Sequence, residues 1–241
     1  ARCAGVPEAV SAWSTSMVVS IISPPYIGVS RYVSPSGGHV HPYTDWASAA
    51  TTIQAAVSAS IPGDVVVVTN GVYEVGAAPT PGYTLQNRVV ATNAIVIQSV
   101  NGPEETVIRG RGPEGTNAIR GAWLSGGARL EGFTIEGGAT RLTGTFPFDR
   151  NGGGVYLTGG ASISNCVLKG NAGYEGGAAY IHTSGWINNS VIESNAASAN
   201  GGGVRMSDVL SGGVRHSRIV RNTAPTAGGV HIYHKGRLQN S

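Results

Sequence analysis

A chain of 241 residues with 41% apolar side chains is long enough to bury a core, which excludes an intrinsically disordered protein. Only 12% of residues are charged and the net charge is +3, so no face carries the dense cationic stripe that duplex nucleic acid requires. The mild basic excess favours an anionic polymer or a small anionic ester as partner.

Residues 1–30 read as an irregular N-terminal arm or the remnant of a signal peptide, with Arg2 ahead of a serine-studded apolar region. The apolar patch 17–22 stops at Pro24 and Pro25, far short of the ~20 residues of a membrane span. Cys3 and Cys166 form neither a disulfide framework nor a metal knuckle. In "HVH" (39–41) the two imidazoles would share one face of a strand, and a packing role is expected. Ala50, Ile53, Ala56 and Val57 then fall at helical spacing in an alanine-rich stretch ended by Pro62 and Gly63, which predicts a helix over about 46–60 that caps the domain. "DVVVVTNGVYEV" (64–75) reads as strand, turn and strand, and 87–112 and 121–138 as less regular coils. Residues 139–151 interrupt the pattern and are expected to project as a loop.

From there the chain repeats itself. The glycine pairs Gly153–Gly154, Gly176–Gly177, Gly202–Gly203 and Gly228–Gly229 recur at steps of 23, 26 and 26 residues. Asn171, Asn195 and Asn222 form one column, Cys166, Ser190, Ser217 and Ser241 a small one, and Ile163, Ile187, Val214 and Leu238 an apolar one, as do Leu168, Ile192 and Ile219. Within each repeat the apolar residues alternate, so these are strands with one buried face. Strands repeating every 23–26 residues predict an all-β fold, a right-handed parallel β-helix solenoid with an N-terminal capping helix and an open C-terminal end, regular over about 64–241 within a domain of 31–241. Stacked amides and tolerance of left-handed turns account for the asparagines. The last residues still obey the repeat, so a truncated solenoid is expected, with an edge open to self-association.

"YVSPSGGHVHPYTDWASAATTIQAAV…PGDVVVVTNGVY" together with "ISNCVLKGNAGYEGGAAY" resembles bacterial right-handed parallel β-helix repeat proteins of the pectate-lyase-like superfamily. The second half resembles the Asn and GG repeats of polymorphic outer-membrane proteins. The resemblance covers about 31–241 and implies a secreted protein, extracellular or on the bacterial cell surface. Its relatives divide among polysaccharide lyases, glycosidases and adhesin stalks.

Counting from the glycine pairs, the second wall position gives Tyr156, Ala179, Arg205 and His231, and the fifth gives Gly159, His182, Asp208 and His234. Stacking would set His182, Asp208 and His234 in one axial column, a His₂–carboxylate set suited to a divalent metal such as zinc with an open position for water. Arg205 and His231, one column away, are candidate catalytic groups that hold an anionic oxygen or move a proton. Solvated polar residues near a corner would give the same pattern. Lys169 and Glu193 are expected as an exposed cross-strand pair, and Arg218 and Arg221 as surface or a polysaccharide-contacting strip. Asp149 has no second carboxylate in fixed relation, so a paired-carboxylate glycosidase site is not assigned, and no GxSxG, P-loop or HExxH occurs. Three readings follow: a polysaccharide-binding or polysaccharide-cleaving protein using its flat wall, a non-catalytic surface solenoid, and a metal-dependent ester or phosphoester hydrolase.

Overall fold

The structure, a computed structural model, describes residues 28–241; most of the arm expected over 1–30, and Cys3 with it, lies outside the described residues. The chain opens on β1 (Ser30–Val33), passes through α1 (Ile53–Ala59) and winds as β2 (Val65–Val68), β3 (Gly71–Tyr73), β4 (Ala78–Pro79) and β5 (Gln86–Ala91). The next coils are β6 (Val96–Ser99), β7 (Thr106–Arg109) and β8 (Ile119–Leu124), then β9 (Arg129–Glu131), β10 (Thr134–Glu136) and β11 (Val155–Leu157). They continue as β12 (Ser162–Ser164), β13 (Val167–Lys169), β14 (Ala172–Glu175) and the long β15 (Ala179–Asn188), then β16 (Val191–Glu193), β17 (Ala196–Asn200) and β18 (Val204–Arg215). The described chain ends with β19 (Arg218–Val220), β20 (Val230–Tyr233) and β21 (Arg237–Gln239).

After the first, each coil lays one strand on each of three walls, and β14 and β17 pair separately beside them; among the described residues the strand pairings between coils are parallel, and the antiparallel contacts are the short β4–β5 pair and an isolated Arg111–Ile119 bridge. The first wall stacks β1, β2, β6, β9, β12, the far half of β15, the far half of β18, and β21. The second stacks β3, β7, β10, β13, β16 and β19. The third stacks β5, β8, β11, the near halves of β15 and β18, and β20. This is a parallel β-helix, for which a right-handed wind is the rule that parallel crossovers obey.

The core is a set of axial columns, because an inward residue on one coil meets its counterpart on the next. Val66, Ile97, Leu130, Ile163, Ile187 and Val214 stack on the first wall, all 0% exposed, and Ile108, Ile135, Leu168 and Ile192 do so on the second. Each such side chain contributes about 1.5–3 kcal/mol by leaving water.

The corners carry the rest of the repeat. Asn195 accepts from the backbone N–H and the side-chain amide of Asn171, both at 3.0 Å, and donates to the carbonyl of Leu168 and to Asn222 Oδ1, both at 2.9 Å. The ladder is thus a hydrogen-bond device, while the left-handed residue expected at asparagine lies one position earlier, at Gly170, Ser194 and Arg221. The small column also pairs: Ser190 Oγ accepts from Cys166 N, Ser217 Oγ from Ser190 N, and Ser241 Oγ from Ser217 N, each at 3.2 Å. Glycine is required at 153, 177 and 202, because a Cβ there would stand 2.0–2.2 Å from a carbonyl oxygen of the next coil.

Two expectations change in shape. The helix is shorter than 46–60: Ala50 is extended and bridges to Val33, and Thr52 is the N-cap, its side chain accepting from Ala55 N at 3.2 Å. Ile53, Ala56 and Val57 face the core as the spacing required, and Gln54 satisfies the outer edge of β5 by accepting from Val90 N at 2.7 Å. The cap therefore covers both core and strand edge. The insertion 139–151 does not project. It lies back over the third wall, latched by Asp149, whose carboxylate accepts from the backbone N–H of Leu85 at 2.8 Å and of Thr84 and Thr145 at 3.0 Å.

Candidate functional site

Outward residues of the third wall form two columns. Val90, Trp123, Tyr156, Tyr180, Arg205 and His231 stack in one, and His182, Ser207 and Tyr233 in the next. On a bare wall these would all face water. The insertion changes that over the middle coils, where Phe148 packs on Trp123 and Tyr156 with ring centroids 6.1 Å from each and stacks on Tyr83 at 4.2 Å.

Arg120 lies beneath it, fully buried, donating to the carbonyls of Phe148, Asn151 and Gly152 and to Thr80 and Asn87. Its charge has the faces of Trp123 and Tyr156 at 5.5 and 5.3 Å, and burial lowers its pKa to about 9, which leaves it protonated at neutral pH. The covered aromatic stack of Trp123, Tyr156 and Tyr180 is a second small core between insertion and wall.

Beyond β15 the wall is open, and the candidate residues collect there. Glu175 is buried; its carboxylate accepts from Asn200 at 2.6 Å, Asn151 at 3.2 Å and Arg205 Nε at 3.3 Å. Arg205 spans from Glu175 to the imidazole of His231, donating from Nη1 to Nδ1, and its guanidinium lies 5.1 Å from the Tyr233 ring centre. The neighbouring corner holds Asp208, whose Oδ1 is 2.7 Å from His234 Nδ1 and whose Oδ2 accepts from Ser207 at 3.1 Å. Tyr233 and His234 pack ring against ring at 3.8 Å.

Environment sets the charge state of these groups. Burial against the rings of Phe148, Tyr156 and Tyr180 lowers the pKa of His182, with Asp208 opposing. Burial and then Arg205 lower that of His231, with Glu175 opposing. The His234 hydrogen bond holds the Asp208 carboxyl below its usual range. Two neutral imidazoles therefore stand beside the Asp208 carboxylate and the guanidinium that pairs with Glu175 at physiological pH.

The expected His182, Asp208 and His234 column is corrected by the strand register. His182 pairs with Ser207, while the corner column that holds Asp208 and His234 receives Thr183 from the preceding coil, and Gly159 before it. All four take the left-handed conformation, with φ of 57° at Gly159, 62° at Thr183, 54° at Asp208 and 64° at His234. The offset arises because the repeat is a triplet. Gly176–Gly177 are the first two residues of Gly-Gly-Ala, whereas 153–154, 202–203 and 228–229 are the last two of theirs. The true steps, from Val155 to Ala179 to Val204 to Val230, are 24, 25 and 26 residues. Tyr180 likewise replaces Ala179 in the column of Tyr156, Arg205 and His231. Among the described residues no three His, Cys, Asp or Glu side chains are grouped as a metal site requires.

Arg205 and His231 do meet as predicted, and so do Asp208 and His234. The spacing missed Glu175, Tyr180 and Tyr233. A signal for Glu175 existed: it stands before a glycine triplet where the adjacent coils have Asn151 and Asn200, an acid in a column of amides. Lys169 pairs with Glu136 at 3.4 Å, and Arg218 and Arg221 both hold Glu193, so the second wall presents a row of solvated ion pairs.

No family model and no curated protein matches the chain. Two solved structures are similar at low identity. Pectin methylesterase PemA from Erwinia chrysanthemi shares 14% identity with a TM-score of 0.47, over 80% of this chain and 66% of that one. A rhamnogalacturonan lyase shares 17% with a TM-score of 0.38, over 85% of this chain and 50% of that one. The chain thus spans less than two-thirds of either protein.

Proposed function

We propose that the protein binds a polysaccharide across the open end of the third wall and acts on it there, in an extracellular or cell-surface setting. One observation supports this reading above others: His182, Asp208, His231, Tyr233 and His234, drawn from three successive coils, share one side of the solenoid just where the insertion ends. Their rings offer faces for the apolar side of a sugar, and their nitrogens and oxygens can pair with hydroxyls. The net charge of +3 favours an acidic chain over a neutral one.

Calorimetric titration with polygalacturonate and with a neutral glucan, for the parent chain and for Tyr233→Ala and His231→Ala, tests the reading. Binding of the acidic polymer, weakened about tenfold or more by either substitution, is expected. Unchanged affinity in both variants would remove the wall as the site. The non-catalytic surface solenoid is favoured by the continuous asparagine and serine ladders, whose function is mechanical. It predicts binding with no new chain ends or released substituents after prolonged incubation.

A further inference from the structure

The outward face of the second wall carries two columns of different character. Val72, Val107, Thr134, Val167 and Val191 form one, and Arg218 ends it on the sixth coil. Two residues further along each strand, Glu74, Arg109, Glu136, Lys169 and Glu193 form the other, a ladder whose sign alternates at every rung. Its sixth rung is Val220, and the cations there come from Arg218 and Arg221 on either side. Arg109 is 3.0 Å from Glu74 and 2.8 Å from Glu136, Lys169 is 3.4 Å from Glu136, and Glu193 lies 3.3 Å from Arg218 and 2.9 Å from Arg221. The next column is small at Gly137, Gly170 and Ser194, which leaves a shallow groove of about 380 Å³ along the charges.

Alternation satisfies neighbouring rungs within one chain, and it also makes the face its own complement. An alternating row of six, read backwards, has the opposite sign at every place. We propose that the second wall docks a second copy of this chain, the two solenoids running antiparallel about a twofold axis that lies across the strands between the third and fourth rungs. The axis sets Glu136 against Lys169 of the second copy, Arg109 against its Glu193, and Glu74 against its Arg218 and Arg221. It also lays Val107 on Val191 and Thr134 on Val167, so an apolar centre is flanked by paired charges, with the long side chains of one ladder entering the groove beside the other. Parallel packing in register is disfavoured, because each charge would then meet its own kind. Six rungs at steps of about 4.8 Å make the face only about 24 Å long, which suits a weak, salt-sensitive dimer rather than an obligate one. The third wall stays uncovered in both copies.

Sedimentation velocity over a concentration series, at about 0.05 M and about 0.5 M salt, tests the proposal. The parent chain should pass from monomer to dimer at the lower salt, with a dissociation constant about tenfold or more higher at the upper. Glu136→Lys and Lys169→Glu each set like charges against each other at the two central rungs, so each variant alone should remain monomeric. An equal mixture of the two should dimerise again, as should the double variant, because every central rung then meets its opposite. Recovery on mixing cannot come from misfolded chains, and urea midpoints close to that of the parent are expected for both variants, whose altered side chains are solvated. A parent chain that stays monomeric at low salt overturns the proposal and leaves the face to a different partner. A dimer that keeps its affinity in both single variants, or variants that stay monomeric when mixed, overturn it equally.

Discussion

Asn195 shows how much a single residue of a solenoid carries. It links three coils through its side chain, and Asn195→Ala strands two donors of Asn171 and the carbonyl of Leu168 in the interior. A loss of about 3 kcal/mol is expected from urea unfolding, well above a typical exposed change. Thr183 is the opposite case. A β-branched residue at φ 62° is strained where the equivalent corner has Gly159, and Thr183→Asn should raise stability by about 0.5–1 kcal/mol in the same measurement. His182 supplies the pH dependence. Its folded pKa lies below the unfolded value of about 6.5, so the unfolded chain binds more protons through that window and stability falls as pH drops through it. His231 shifts in the same direction, so His182→Asn should flatten the slope of the urea midpoint between about pH 7 and 5 without abolishing it. Asparagine, serine and aliphatic columns were legible at this scale because each repeats one chemical type, and Arg205 met His231 because both follow the last two residues of their glycine triplets. His182 was misplaced by one residue because Ala178 hides the third member of a glycine triplet.

Two elements act as covers, and they differ in how far the sequence reveals them. Helix α1 is local: its apolar spacing, its Thr52 cap and the proline beyond it lie within a dozen residues, and its start was overdrawn by about two turns. Thr52→Ala should cost about 1 kcal/mol, read as a shift of the denaturation midpoint. The insertion is non-local. Asp149 is latched to backbone 64 and 65 residues earlier, and Arg120 reaches forward to Phe148, Asn151 and Gly152, so no periodicity announces that 139–151 folds down. Arg120→Met removes the donor from five buried acceptors at once, and a loss of about 3 kcal/mol or more is expected. The same variant should red-shift tryptophan emission, as Trp123 loses its cover; an unchanged spectrum would show that the insertion holds without the arginine.

As a whole the molecule behaves as a one-dimensional stack, in which each coil is stabilised by its two neighbours. Protection from hydrogen exchange should be greatest in β8, β11 and β15, which have a coil on either side and the insertion above, and least in β20 and β21, where Ile232 and Leu238 are 42% and 46% exposed. Uniform protection along the axis would contradict this picture. By itself the sequence determined a repeat of some two dozen residues, the parallel β-helix winding and the identity of the core columns, because inward positions recur and stacking places like on like. Only the tertiary structure decided where the wall is open. That depends on an insertion held by contacts across dozens of residues, on a corner register that one alanine shifts, and on a buried Glu175 that turns Arg205 from a free cation into the support of His231.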